Sequence, residues 1–121
     1  MEGATTIFVY GTLKRGCRNH HVLQSATFLG EARTEPLYLM VNCGSYPGLV
    51  HANGVREGQA ICGELYRMDS ALLAALDAFE DAPHEFVRAS IALQNGSNAE
   101  GYFYSGEAAH LPLCGAVWLE E

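Results

Sequence analysis

Charge is scarce in this chain. Charged residues fill 17% of its 121 positions, below the roughly 25% of an average domain. Basic residues are the scarcest: 7 Lys and Arg stand against 14 Asp and Glu, a formal net charge of −7. Binding along a phosphate backbone rests on clustered Lys and Arg. The one basic cluster, Lys14, Arg15 and Arg18, is too short for such a face, so no nucleic-acid partner is expected. Long apolar runs are missing as well. Stretches such as Ile7 to Tyr10 fall far short of the roughly 20 residues of a spanning helix, and no membrane association is expected. Met1-Glu2 opens without a basic segment or a long apolar one, so no secretory signal is read and the cytoplasm is the expected compartment.

Metal and thiol signatures are also lacking. Cys17, Cys43, Cys62 and Cys114 form no C-x-x-C pair, which excludes zinc-knuckle and thioredoxin-type spacing. A disulfide framework is not expected without a secretory signal, and Cys62, inside an apolar run, reads as a small core residue. The five histidines, at 20, 21, 51, 84 and 110, show no H-E-x-x-H or similar spacing. His84 beside Asp81 and Glu85 reads as an exposed acidic turn. Cys17 with His20 or His21 lacks the third, orienting group of a thiol nucleophile. No metal or other cofactor is expected. Linker-like Pro/Gly/Ser stretches, repeats and low-complexity tracts are absent too, and residues 1–121 read as one domain.

What is present is apolar. Hydrophobic residues make up 49% of the chain, enough for a core and too many for intrinsic disorder. The 13 glycines are scattered, which favours turns and short strands over a helical bundle. Thr5 to Tyr10 is a buried strand by its β-branched and aromatic content. His20 to Ser25 suits a short helix. Thr27 to Asn42 is extended with a break near Pro36, and Gly44 to Gly48 is a turn cluster. Gln59 to Met68 is a strand, with Ile61, Gly63, Leu65 and Arg67 on one face. Phe86 to Leu93 and Glu100 to Tyr104 form a hairpin around Asn95-Gly96-Ser97-Asn98, and Ala116 to Leu119 is a final strand. Ser70 to Glu80 is the one strongly patterned helix. Asp69 is its N-cap, Leu72, Leu73, Leu76 and Phe79 supply the apolar positions, and Pro83 lies just beyond.

Two places depart from purely structural patterning. Glu80 lies four residues after Leu76 and seven after Leu73, so it falls on the buried face of the helix. It also sits in the last turn, where the helix dipole disfavours negative charge. Burial, the dipole and the nearby Asp77, Asp81 and Glu85 should all raise its carboxyl pKa. A frayed helix end with solvated acids remains the competing reading of these residues. The second place is Tyr10-Gly11-Thr12-Leu13-Lys14-Arg15-Gly16, where a buried strand runs into a loop with two glycines. Such a loop can turn backbone N–H groups toward an anion or a developing oxyanion, although an ordinary strand-ending turn has the same composition. It matches neither the P-loop nor the dinucleotide-binding pattern.

These stretches together resemble the γ-glutamylcyclotransferase-like family, which includes γ-glutamylamine cyclotransferase and AIG2-like proteins. The matching residues are Val9 to Gly16, Tyr46-Pro47-Gly48-Leu49-Val50, Gly63-Glu64-Leu65-Tyr66, Leu76-Asp77-Ala78-Phe79-Glu80 (the family's L-D-x-x-E) and Tyr102-Phe103-Tyr104. The resemblance implies an α+β fold, a small mixed β-barrel flanked by a few α-helices. It implies a cavity in which Tyr10, Gly11, Thr12 and Leu13 hold a γ-glutamyl group opposite Glu80, the general acid/base. Tyr46, Pro47, Phe86 and Tyr104 complete the substrate-binding set. One departure stands out: many members have Tyr followed two residues later by Arg, and here the pair is Phe86 and Arg88. The implied reaction closes a small-molecule γ-glutamyl amine or peptide to 5-oxoproline with release of the amine. The alternative is a non-catalytic domain of the same fold that binds an acidic metabolite.

Overall fold

The computed structural model describes residues 4–54 and 56–120. Met1-Glu2, on which the reading of a targeting segment rests, lies outside them. The fold is built around strand β1 (Thr5–Val9), which pairs antiparallel with β5 (Cys62–Met68) and parallel with β7 (Asn98–Tyr104). Side chains alternate across a strand, and both faces of β1 are covered. Phe8, with Tyr10 just beyond, enters a cluster with Met40, Leu49, Ile61 and Ile91. Ile7 and Val9 enter a second one with Leu23, Tyr66, Met68 and Leu76. A strand buried on both faces needs a continuous apolar run rather than alternation, which accounts for Ile7-Phe8-Val9-Tyr10.

Strand β2 (Thr27–Arg33) lies on the far side of β5, while β3 (Tyr38–Asn42) and β4 (Pro47–His51) form an antiparallel pair. Strand β6 (Phe86–Ala92) makes the expected hairpin with β7. The sheet order is β2-β5-β1-β7-β4-β3, with β6 attached to β7. Along β7, β6 takes one edge, and β1 and β4 share the other.

The structure corrects the expected barrel with a few α-helices: the sheet is mixed and open. Closure would require a ladder between β2 and β6, and only the isolated Thr34–Leu93 bridge joins their ends. The turn at Glu35-Pro36-Leu37, closed by the Leu37 amide on the Glu35 carbonyl (2.8 Å), takes the chain away to β3. Proline has no N–H to extend a ladder. Among the described residues there is one α-helix, α1 (Ser70–Phe79), and His20–Leu23 is a single 3-10 turn. No helix among them is long and apolar enough to cross a membrane. Ala116 to Leu119 form no strand. Gly115 bends the chain at φ 79°, and the Cys62 amide on the Ala116 carbonyl (2.8 Å) ties that segment down. In β5 the Glu64, Tyr66 and Met68 face is buried, and on the face that Ile61, Gly63, Leu65 and Arg67 share, Arg67 is exposed. Cys62 is half-buried rather than core, and its Sγ accepts from Arg33 Nε at 3.3 Å.

Helix α1 sets the place of Glu80. Asp69 caps the helix, accepting from the Leu72 amide at 2.9 Å. Leu76 is 0% exposed and anchors it, with Leu72 and Leu73 packed more loosely around. Phe79, expected on the inner face, is 45% exposed and stands at the rim of an open cleft. The C-terminus is locked by two bonds, from the Ala82 amide to the Asp77 carbonyl (2.9 Å) and from the Asp81 amide to the Ala78 carbonyl (3.1 Å). This is a Schellman stop, with Asp81 at φ 54° in the left-handed position that glycine usually takes.

Candidate active site

A cleft of about 170 Å³ opens where β1 and α1 end and β4 and β6 begin. That is below the 300–1,000 Å³ of drug-sized pockets and suits a group no larger than an amino acid. The loop after β1 supplies Tyr10, Gly11, Thr12 and Leu13. The entry to β4 supplies Tyr46 and Pro47, and the end of α1 with the start of β6 supplies Phe79, Glu80, Glu85 and Phe86. Eight of the nine site residues expected from sequence therefore meet at one cavity. Tyr104 does not line it. Its ring lies edge-on behind Phe86, 5.8 Å between centroids.

Glu80 is the C-cap residue of α1. Its phase with Leu76 turns it to the docked side of the helix, and the Schellman stop fixes its backbone there. Its carboxylate meets no cation and accepts no hydrogen bond among the described residues. Burial, followed by the negative charge of Glu85, pushes its pKa from 4.5 up to about 7. Asp77 and Asp81 do not share in this effect as the sequence suggested. Asp77 accepts from Arg88 Nε and Nη2 (2.9 and 3.1 Å) and from the Tyr102 hydroxyl (2.5 Å). Burial raises the Asp77 carboxyl, but these bonds outweigh it and leave it below its ordinary value. Asp81 turns outward to His84, 3.4 Å away. Of the two acids in L-D-x-x-E, the first is committed to holding β6 and β7 against the helix and the second is free.

The loop opposite is shaped by close packing. A Cβ on Gly11 would come within 2.7 Å of Pro47 Cγ, so glycine lets the loop press against the entry to β4. The Lys14 amide closes a turn on the Gly11 carbonyl (3.1 Å), and the Asn19 amide and Nδ2 hold the Thr12 carbonyl and Oγ1 (both 3.0 Å). Among the described residues the amides of Gly11, Thr12 and Leu13 donate to no protein acceptor. Unpaired amides in a buried loop ordinarily mark an unfilled role. Tyr10 behaves differently. Its hydroxyl donates to the Tyr102 carbonyl (2.7 Å) and accepts from the Leu49 amide (3.0 Å), stitching β4 to β7. Its hydroxyl is thus spent on the scaffold, and burial holds its pKa well above the ordinary value.

Three lining residues carried no clear signal in the sequence. Arg18 read only as part of a basic cluster, yet it stands at the cavity wall. Its amide and Nη1 donate to Glu120 (2.8 and 2.6 Å), and Nη2 donates to the Ser45 carbonyl. Asn19 reads as loop, and Glu85 read only as a neighbouring charge. Glu85 accepts a hydrogen bond from the Tyr46 hydroxyl. That bond, followed by burial, pushes the Tyr46 pKa up to about 12, so the phenol stays a donor.

Residues 7–119 match the model of the family described as gamma-glutamyl cyclotransferase, AIG2-like. The chain belongs to that family. A family protein of Escherichia coli K12 is 38% identical over 115 residues, spanning 94% of this chain and 96% of its own. The gamma-glutamylaminecyclotransferase A of Danio rerio is 39% identical over 110 residues, covering 82% of this chain and 67% of the relative. The crystal structure of an AIG2-like protein from Mus musculus superposes with a TM-score of 0.80 at 30% identity, over 95% of this chain and 88% of that one. Family membership accounts for the order of motifs along the chain. The geometry adds what each motif contributes: one free carboxylate and three unengaged amides at the same cleft.

Proposed function

We propose that Glu80 is the general acid and base of a γ-glutamyl cyclotransferase reaction in this cleft, with the amides of Gly11, Thr12 and Leu13 as the oxyanion site. The chain is an enzyme of the γ-glutamyl cyclotransferase type, and its substrates are γ-glutamyl amines or peptides. The observation that carries the residue assignment is the unpaired Glu80 carboxylate, raised to about 7. An acid/base works best with a pKa near the working pH, where it both takes up and returns protons.

The reaction is intramolecular. The substrate's α-ammonium gives a proton to Glu80, and the freed amine attacks its own γ-carbonyl. A C–N bond forms, and the carbonyl oxygen becomes an oxyanion facing the loop amides. Glu80 returns a proton to the departing nitrogen and the old C–N bond breaks. In the net reaction the α-nitrogen loses two protons and the leaving nitrogen gains two, giving 5-oxoproline and an ammonium ion. Tethering the reactants is a large advantage, since effective molarities in well-oriented intramolecular reactions reach about 10⁵–10⁸ M. This route uses no cofactor. Tyr46, Pro47 and Phe86 wall the γ-glutamyl chain, and Tyr104 supports Phe86 from behind. We further propose a cytoplasmic setting and a single domain over residues 1–121, since one sheet takes strands from residue 5 to residue 104.

The test is mass detection of 5-oxoproline from a panel of γ-glutamyl amines and peptides, with wild type and Glu80→Gln. Release by wild type and its loss in the variant are expected. Binding without release is the behaviour of a purely binding domain and would overturn the assignment.

A further inference from the structure

Proton transfer by Glu80 and oxyanion binding by the loop amides leave one cavity carboxylate unused. Glu85 lines the cleft beside Glu80, and its placement is closely determined. Its amide donates to the Asp81 carbonyl (2.9 Å), and its own carbonyl accepts from both the amide and Oγ of Ser105 (2.9 and 2.8 Å). Its side chain is steadied by the Tyr46 hydroxyl on Oε2. Tyr46 in turn packs its ring on Phe86, 6.1 Å between centroids, and its carbonyl accepts from the Cys43 amide at 2.9 Å. Among the described residues Oε1 of Glu85 has no partner.

Among the described residues no cation pairs with Glu85. Arg18 is the one Lys or Arg among the lining residues, and it is engaged by Glu120 and the Ser45 carbonyl. A cleft with two carboxylates and no available cation is complementary to a positively charged group. In the proposed reaction the ground-state substrate brings one, its α-ammonium. A carboxylate that holds this group should be fixed in place with one oxygen open to it. A carboxylate that takes its proton should be easily protonated. The hydrogen bond from Tyr46 and the open Oε1 suit Glu85 to the first role, and the partly buried, unpaired carboxylate of Glu80 suits it to the second.

We propose that Glu85, oriented by Tyr46, is the residue that binds the α-ammonium of the γ-glutamyl group and presents it to Glu80. This rests on the cyclotransferase reading, and it assigns substrate recognition to one carboxylate and proton transfer to the other. Selectivity for substrates with a free α-amine follows from it.

Wild type, Glu85→Gln and Tyr46→Phe are assayed for 5-oxoproline release from a γ-glutamyl amine. The matching glutaryl amide, which lacks the α-nitrogen, serves as competitive inhibitor. Loss of a charge-assisted hydrogen bond raises KM about 10- to 100-fold in Glu85→Gln, while kcat falls by much less. The inhibition constant of the glutaryl amide does not rise, because that compound has no ammonium to lose. Tyr46→Phe moves KM in the same direction by a smaller factor and decides the matter if Glu85→Gln does not fold. KM and the inhibition constant rising together would mark a general loss of cavity shape and overturn the proposal, as would no change in either. No 5-oxoproline from wild type overturns the cyclotransferase reading and this inference with it. Turnover by wild type with an unmoved KM in both variants overturns this inference alone.

Discussion

Replacing Glu80 by Gln tests the site through stability as well as turnover. Folding moves the Glu80 carboxyl from 4.5 to about 7, so the folded chain binds its proton more tightly than the unfolded chain. The associated stability is fully present below about pH 4.5 and is lost as pH rises through about 7. At about 1.4 kcal/mol per pH unit the full effect is about 3 kcal/mol. Solvent at the cleft mouth trims this to about 2–3 kcal/mol. Gln keeps the shape and carries no charge at any pH. Wild type and Glu80→Gln should therefore have similar stability at pH 4.5, and by pH 8.5 the variant should be the more stable by about 2–3 kcal/mol. Urea denaturation of both proteins at four or five pH values measures the difference directly. The catalytic consequence has the opposite sign. In wild type kcat/KM should rise with pH through about 7 as the base ionises, and Glu80→Gln should lose about 10²–10⁴ in rate. A variant stabilised at high pH and inactive throughout fits a buried base. Parallel stability curves across the pH range would falsify the claim that Glu80 is held in a partly buried, unpaired setting.

Three further outcomes are expected. Gly11→Ala should reduce 5-oxoproline release far more than Thr12→Ala, because its Cβ would lie 2.7 Å from Pro47 Cγ in a ring that cannot swing away. Thr12→Ala removes only the bond to Asn19 Nδ2, worth about 1 kcal/mol, and equal small effects on release would reduce the loop to a simple turn. Asp81→Gly should raise stability by about 0.5–1 kcal/mol in thermal or urea melts without loss of turnover. Glycine takes the left-handed position at φ 54° without steric cost, and a lower melting temperature would contradict the account of the helix stop. Cys17→Ser should keep full activity, and chelators should leave wild type unaffected. Burial holds the Cys17 thiol above its ordinary pKa, away from the thiolate that a nucleophile needs, and an inactive variant would bring the thiol back into the mechanism.

The two carboxylates beside α1 show how neighbouring residues of one motif divide their work. Asp77 and Glu80 are three residues apart, close enough to share a helix face, and both begin as ordinary acids. Asp77 points toward β6 and β7, where Arg88 and Tyr102 meet it. Glu80 lines the cleft, where among the described residues Glu85 is the charge that acts on it. The difference lies in which neighbours the sheet brings to each position.

What the sequence determined by itself is local and periodic. The run Ile7 to Tyr10 made a two-sided buried strand, because a strand flanked on both faces has no polar side to show. Asp69 and the leucine spacing fixed where α1 begins and which side docks, and the same spacing placed Glu80 beside Leu76. The Asn95-Gly96 turn set the β6–β7 hairpin. The tertiary structure decided what depends on residues far apart meeting. Whether β2 and β6 pair into a closed barrel turns on a break at Pro36 and on the alternative partner that β4 offers β3. The Tyr10 hydroxyl is consumed by Leu49 and Tyr102, 39 and 92 residues away, which no local pattern records. The pairing of Tyr46 with Glu85, also 39 residues apart, has the same origin. Periodicity says which way a side chain faces, but whom it faces is set by long-range packing, and that is where Glu85 acquired a role and Tyr104 lost its place in the cleft.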